Sequence, residues 1–391
     1  MALEIEGSNP FAHPITPRDF KFTRMKRVSN LSESNIKFSV RREGYTNGNG
    51  WILELTSALG RKIYAFGIAQ TRRGRTGPTW SYLIDNAGWT LIDLGTPGSR
   101  EVLLEVCGAV GLIEKDLNNI ILTHGHSDHD GTAWEFADSG VQIFAHEYYQ
   151  TLKSFQPRVI QDRSKTALQR EFQRLVEEKI GENISQLMNY DEEYLQRKKD
   201  MKVDRALIDG DHVGDIKVLT TPGHSPDEIC LIVDDMVFSG DHVLPEITPH
   251  PTMKMIFRDE VLKAIPDHLR DASEFSGLRT YLTSLDKIVL LGDEYNVLPA
   301  HRLYNKGHFN WCRVGRAAQI IAHHHRRFDL LIDRMGERGV TLEDLTEVMF
   351  ENSKLVGGNI VPAMAEVVAH LEFLEDNGDI FVQDDGSISK I

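Results

Sequence analysis

Residues 121–131 read ILTHGHSDHDG, an apolar run that stops at three histidines and two aspartates within seven positions. A strand end followed by a tight loop lets several side chains converge on one point. Imidazole and carboxylate together suit zinc, with iron and manganese as harder alternatives. His124, His126, Asp128 and His129 are too many ligands for one ion that keeps an open coordination position. Two cations would account for them if distant segments completed each shell. Three do: His224 in TTPGHS, Asp241 in FSGDH and His301 in LPAHR each follow a predicted strand. Five histidines and two aspartates make the number a bridged dinuclear site needs, and a carboxylate such as Asp241 can bridge cations roughly 3.5–4 Å apart.

The rest of the chain supplies strands and helices in alternation. WILELTS, KIYAFGIA, TWSYLID and WTLIDLG read as strands, REVLLEVCGAVGLIEKDL as a helix, then NNIILTH and VQIFAHE as strands around a short helix. DRALIDG, IKVLTTPGH, EICLIVDD, MVFSGDH and NVLPAH continue the strands, with the helix FSGLRTYLTSLDKI before the last. The expectation is an α/β layered fold. Residues 150–203 interrupt it with helical composition, Leu168, Phe172, Leu175 and Val176 sharing one face, and read as an inserted helical hairpin. Residues 1–35 read as an irregular N-terminal arm and 36–312 as the catalytic domain. From 313 to 391 a helical domain is expected: Val314, Ile321, Phe328 and Met335 recur every seven residues, two more helices follow, and IFVQDDGSISKI forms a hairpin at an Asp-Gly turn. Pro362 and Gly378 sit where helix ends favour them. Helix, helix, hairpin is the outline of a winged-helix module.

The pattern HxHxDH with distant His, Asp and His resembles the metallo-β-lactamase superfamily over about 45–301. That resemblance implies an αββα sandwich in which His124, His126 and His224 bind one metal, Asp128, His129 and His301 bind a second, and Asp241 bridges. Aspartate where metallo-β-lactamases proper carry cysteine is similar to the glyoxalase II side of the superfamily. TPGHSPDEICLIVDDMVFSGDHVLP and the winged-helix tail resemble its lactamase-B-like-2 subgroup.

Such a site implies hydrolysis. A hydroxide bridging two cations is available at neutral pH, because coordination lowers the pKa of water from 15.7 to around 7. Asp128 and Asp241 are the catalytic candidates, Asp128 orienting the nucleophile and shuttling its proton. The expected substrate is a small-molecule thioester, lactone or ester. The basic loop QTRRGRTGP, with Arg72, Arg73 and Arg75, is a candidate contact for an anionic substrate such as a coenzyme A thioester, and His250 is another candidate contact. His146 and His242 are left out of the ligand set. His323, His324 and His325 cannot share one ion, since consecutive helical residues point in different directions.

A metal-dependent ribonuclease is the alternative, and a non-catalytic metal or ligand sensor a further one. Charge disfavours nucleic acid: the net charge is -14, and residues 339–391 hold eleven acids against Lys354 and Lys390. Cys107, Cys230 and Cys312 show no CxxC spacing, which disfavours disulfides and a thiolate site. No stretch nears the roughly 18 apolar residues of a membrane span, and the start MALEIEGSNPFAHPITP lacks a signal peptide's basic end and apolar core. A cytoplasmic protein is expected, and the apolar faces of the C-terminal helices would also suit a homodimer.

Overall fold

The computed structural model describes residues 36–70, 76–181, 191–335, 339–351, 355 and 359–391. One sheet holds eight strands in sequence order: β1 (Lys37–Arg42), β2 (Ile52–Thr56), β3 (Lys62–Ile68), β4 (Thr79–Asp85), β5 (Trp89–Ile92), β6 (Leu117–Ile121), β7 (Gln142–His146) and β8 (Arg205–Leu207). It is antiparallel up to β5 and parallel from β5 to β8. The second sheet contains β9 (His212–Val213), β10 (Ile216–Thr220), β11 (Ile229–Val233), β12 (Met236–Gly240), β13 (Asn296–Pro299) and, beyond the small β14–β15 hairpin (Tyr304–Asn305, His308–Phe309), β16 (Cys312–Arg313). Its order is β16-β13-β12-β11-β10-β9, with only β12 and β13 parallel among its pairs.

β11 reads as a continuous apolar run, and β4 is buried from Thr79 to Ile84, because both faces of each sheet are covered. Between the sheets, Leu53, Trp80 and Tyr82 meet Leu231, Phe238 and Leu298. The Tyr82 and Phe238 rings pack edge to face at 5.2 Å. The outer face of the first sheet buries Leu83, Leu91 and Ile120 against α1 (Arg100–Ala109) and α2 (Ala133–Asp138). The result is four layers, helix, sheet, sheet, helix, as expected for the α/β class.

The connection between β7 and β8 carries α3 (Glu147–Leu152), α4 (Pro157–Ile160), α5 (Ala167–Ile180) and α6 (Glu192–Asp200). Here the structure differs from a helical hairpin. The apolar face of α5, Leu168, Phe172, Leu175 and Val176, belongs to the core of the C-terminal helices, whereas α6 packs beside α2. The apolar stripe of α5 is covered by the larger C-terminal core, while α6, with Tyr194 its one buried residue, offers no stripe to pair with it.

After α7 (Asp259–Ala264) come α8 (Leu278–Val289), α9 (Gly315–Arg334), α10 (Leu342–Met349) and α11 (Ile360–Asn377), then the hairpin β17 (Ile380–Val382) and β18 (Ile388–Lys390). Val340 pairs with Ile388 at the hairpin. The predicted stripe Val314, Ile321, Phe328 and Met335 is buried throughout. It shares one core with α8, α11, α5 and the outer face of β11 and β12. Residue 313 therefore divides no core in two. A buried carboxyl reinforces the join: Glu372 accepts hydrogen bonds from Gln169 of α5 at 2.7 Å and from the Lys254 amide at 2.7 Å. Among the described residues no helix is long and apolar enough to cross a membrane.

Candidate metal centre

β5 and β6 run parallel, as do β10, β12 and β13 within their sheet. The C-terminal ends of these strands gather at one end of the sandwich, and each releases a polar residue there. β5 leads to Asp93, β6 to His124, His126, Asp128 and His129, β10 to His224, β12 to Asp241 and β13 to His301. All seven predicted ligand residues meet in this place. The loop after β6 folds back tightly at Gly131, where a Cβ would lie 2.3 Å from the Pro97 amide nitrogen and 2.4 Å from the Ser127 carbonyl. Only glycine fits that approach.

Three overlapping clusters form, each with ligand atoms within 4.8 Å of one another: His124, His126 and His224; His124, His129 and Asp241; and Asp128, His129 and His301. The Nδ1 of His126 lies 2.9 Å from the Nε2 of His124 and 3.2 Å from that of His224. The Asp241 carboxylate faces both halves, 3.5 Å from His224 Nε2 and 3.4 Å from His301 Nε2. His301 Nε2 also lies 3.2 Å from Asp128 Oδ2.

The backs of the rings are fixed by partners that the sequence pattern did not single out. His129 Nδ1 lies 2.8 Å from Asp93 Oδ2, and Asp93 also accepts from the Thr123 amide and hydroxyl at 2.9 and 2.8 Å. Asp93 holds a left-handed backbone, φ 55°, which a non-glycine residue adopts only under constraint. His301 Nδ1 lies 2.9 Å from the Pro78 carbonyl and His224 Nδ1 2.9 Å from that of His250, so both can donate there. Gln70 donates to Asp128 at 2.9 Å, and buried Glu228 accepts from the Asp241 amide at 2.9 Å. With Nδ1 engaged, the Nε2 lone pairs of these rings point inward. We expect Asp93→Asn to weaken metal affinity roughly 10–100-fold, as loss of such supporting partners does. Competition against a colorimetric chelator would measure it, and unchanged affinity would remove Asp93 from this role.

The electrostatics also suit cations. Burial and the neighbouring imidazoles hold His124 and His126 well below the usual histidine range, so both are neutral bases. Burial would raise the carboxyls of Asp128 and Asp241, but His129 and His301 pull both below the ordinary carboxylate range. Burial likewise opposes charge on His129, yet Asp93, Asp128 and Asp241 raise its pKa. The fit to a metal rests on buried donor atoms that make no hydrogen bond. His129 Nε2, His301 Nε2 and Asp241 Oδ1 are buried and have no hydrogen-bond partner. Such orphaned groups are costly, and inward-facing nitrogen and oxygen donors in this number are the ligand set of zinc, iron or manganese.

A family model for the metallo-β-lactamase superfamily matches residues 74–301. The chain belongs to the metallo-β-lactamase superfamily. A metallo-β-lactamase family protein from Thermus thermophilus has 21% identity and a TM-score of 0.57, over 84% of this chain and 98% of that one. A β-lactamase domain protein from Burkholderia ambifaria has 22% identity and a TM-score of 0.61, over 84% of this chain and 92% of that one. Both share the fold, which is that of metal-dependent hydrolases.

The other singled-out residues of this metallo-β-lactamase fold are placed as follows. Arg72, Arg73 and Arg75 lie outside the described residues. His250 lines a cavity beside the centre, but its ring nitrogens face the Pro251 and Pro362 carbonyls, each at 2.7 Å. His146 caps α3, where its Nδ1 accepts from the Tyr148 amide, and makes no part of the ligand cluster. His324 is buried 3.0 Å from His370, while His323 and His325 are only partly buried, so the three diverge as helix geometry requires. Asp130, next to His129, is fully enclosed by Tyr149 at 2.9 Å, Tyr194 at 2.5 Å and Lys198 at 2.6 Å. Lys198, from α6, also donates to the Gly125 carbonyl at 2.6 Å. Nothing in a single sequence connects Lys198 to the HxHxDH loop, since 68 positions part it from Asp130.

Proposed function

We propose that this protein holds two divalent cations, zinc first among them, and hydrolyses a small-molecule thioester, lactone or ester. The observation that carries the reading is the meeting of seven ligand residues, with His129 Nε2, His301 Nε2 and Asp241 Oδ1 buried and without a hydrogen-bond partner, beside a cavity of about 420 Å³ lined by His126 and His224. That volume falls within the roughly 300–1,000 Å³ typical of small-molecule sites. Cations held there would lower the pKa of coordinated water to about 7 and polarise the carbonyl under attack. The chain's own residues do the rest. Gln70 and His301 both approach Oδ2 of Asp128, which leaves Oδ1 to take the proton of the attacking water and return it to the leaving group. Asp241, between His224 and His301, would span the two cations.

Aspartate at 241 favours the glyoxalase II-like side of the superfamily. The order α9, Val340 bridge, α10, α11, hairpin supports the winged-helix reading of the tail and with it the lactamase-B-like-2 subgroup. This tail is acidic and packed into the common core, which favours a small substrate over RNA. Cys107, Cys230 and Cys312 are all free, which fits a cytoplasmic setting.

Elemental analysis of protein purified without chelator should find about two metal ions per chain. Chelation should abolish cleavage of acyl thioesters or lactones, and the metal returned alone should restore it. RNA cleavage as the only metal-dependent activity would replace this reading with the nuclease.

A further inference from the structure

The cavity beside the centre has an uneven chemistry. Leu152, Phe155, Ile160, Met253 and Met255 give it an apolar wall, built from α3, α4 and the segment after β12. Its charges are mostly accounted for. Lys198 is paired with Asp130, Lys153 donates to the Lys199 carbonyl at 2.7 Å, and Asp227 accepts from the Ser225 hydroxyl. Arg163 is the exception. It lines the cavity, its Nε is buried without a hydrogen-bond partner, and it forms no ion pair among the described residues. Burial pulls its pKa below the usual arginine value. Arginine stays charged nonetheless, and a half-buried guanidinium with its Nε enclosed and unpartnered is well placed to pair with an anion entering the cavity.

Resting on the hydrolase reading, we propose that this cavity receives the acyl part of the substrate, and that the acyl chain is aliphatic and carries an anionic group bound by Arg163. The apolar wall takes the methylene chain, where each buried CH₂ contributes about 0.8 kcal/mol. The guanidinium takes a carboxylate in the two-pronged geometry that lysine cannot match. The scissile carbonyl then lies toward His126 and His224, which line the same cavity. Arg163 is thus a specificity residue, while the ligand residues stay common to every substrate.

The test pairs chains of equal length. N-acetylcysteamine thioesters of suberate, with a free terminal carboxylate, and of octanoate, without one, are given to the wild type, Arg163→Gln and Arg163→Lys. We expect the wild type to favour the suberyl ester at least tenfold in kcat/KM. Arg163→Gln should raise KM for that ester about 10- to 100-fold, the worth of a charge-assisted hydrogen bond. Octanoyl turnover should not change, and Arg163→Lys should keep part of the preference. Equal use of the two esters, or an equal loss on both in Arg163→Gln, would overturn the proposal while leaving the hydrolase standing. Titration of suberate and octanoate themselves into the same proteins separates the two readings. Suberate binding that depends on Arg163, with no thioester cleaved, would sustain the pocket and sink the thioester reading. Suberate binding equal in wild type and Arg163→Gln would overturn the pocket.

Discussion

Asp241→Ala should lower kcat by about three orders of magnitude, equivalent to roughly 4 kcal/mol of transition-state stabilisation. The protein should then retain no more than one metal ion per chain. The expectation follows from where the carboxylate lies: Oδ2 is 3.5 Å from His224 and 3.7 Å from His129, and Oδ1 is 3.4 Å from His301. Alanine leaves three imidazoles facing one another across a gap, with no negative charge to offset two cations. Metal content and steady-state kinetics on one preparation decide the matter. Two retained ions with unaltered kcat would show that Asp241 neither bridges nor contributes to turnover.

The second large effect lies far from the centre. Phe328→Ala should destabilise the whole protein by about 3–5 kcal/mol, the usual cost of emptying a buried aromatic site. The Phe328 ring is 6% exposed and stacks on Phe373 at 4.5 Å. At this chain length the loss corresponds to a fall in Tm of roughly 4–6 °C. Because α9 and α11 share their core with α8 and the second sheet, calorimetry should show one transition that moves as a unit. Two transitions, with only one displaced, would mean that the C-terminal helices melt as a separate body.

The seven ligand candidates were legible because strand-end spacing and residue type together are so restrictive. His124, His126, Asp128 and His129 sit in one loop, and His224, Asp241 and His301 each follow a run that could only be a strand. The layered fold was legible for a related reason: apolar runs covered on both faces, such as that of β11, leave little choice of architecture. What stayed hidden depended on contacts distant in sequence. Asp93 lies in an unremarkable WTLIDLG, and only its left-handed backbone and its reach to His129 give it meaning. Arg163 has no periodicity or motif around it; its significance is that no acid pairs with it among the described residues. The helical hairpin expected over 150–203 misread α5, since a 3.6-residue stripe says that a helix is buried but not against what. Arg72, Arg73 and Arg75 form a cluster of like charge in the sequence, whereas Arg163, between Asp162 and Lys165, is a cavity-lining cation without an ion pair among the described residues.

One contact reaches further than its size suggests. The Lys198 ammonium holds the Gly125 carbonyl, between two of the ligand histidines, and the Asp130 carboxylate, immediately after a third. Helix α6 is thereby fastened to both ends of the loop that carries the ligands. Seating of the helix and filling of the centre are then linked equilibria. Whatever factor the seated helix contributes to cation affinity, the bound cations return to the seating of the helix in equal measure, whichever event comes first.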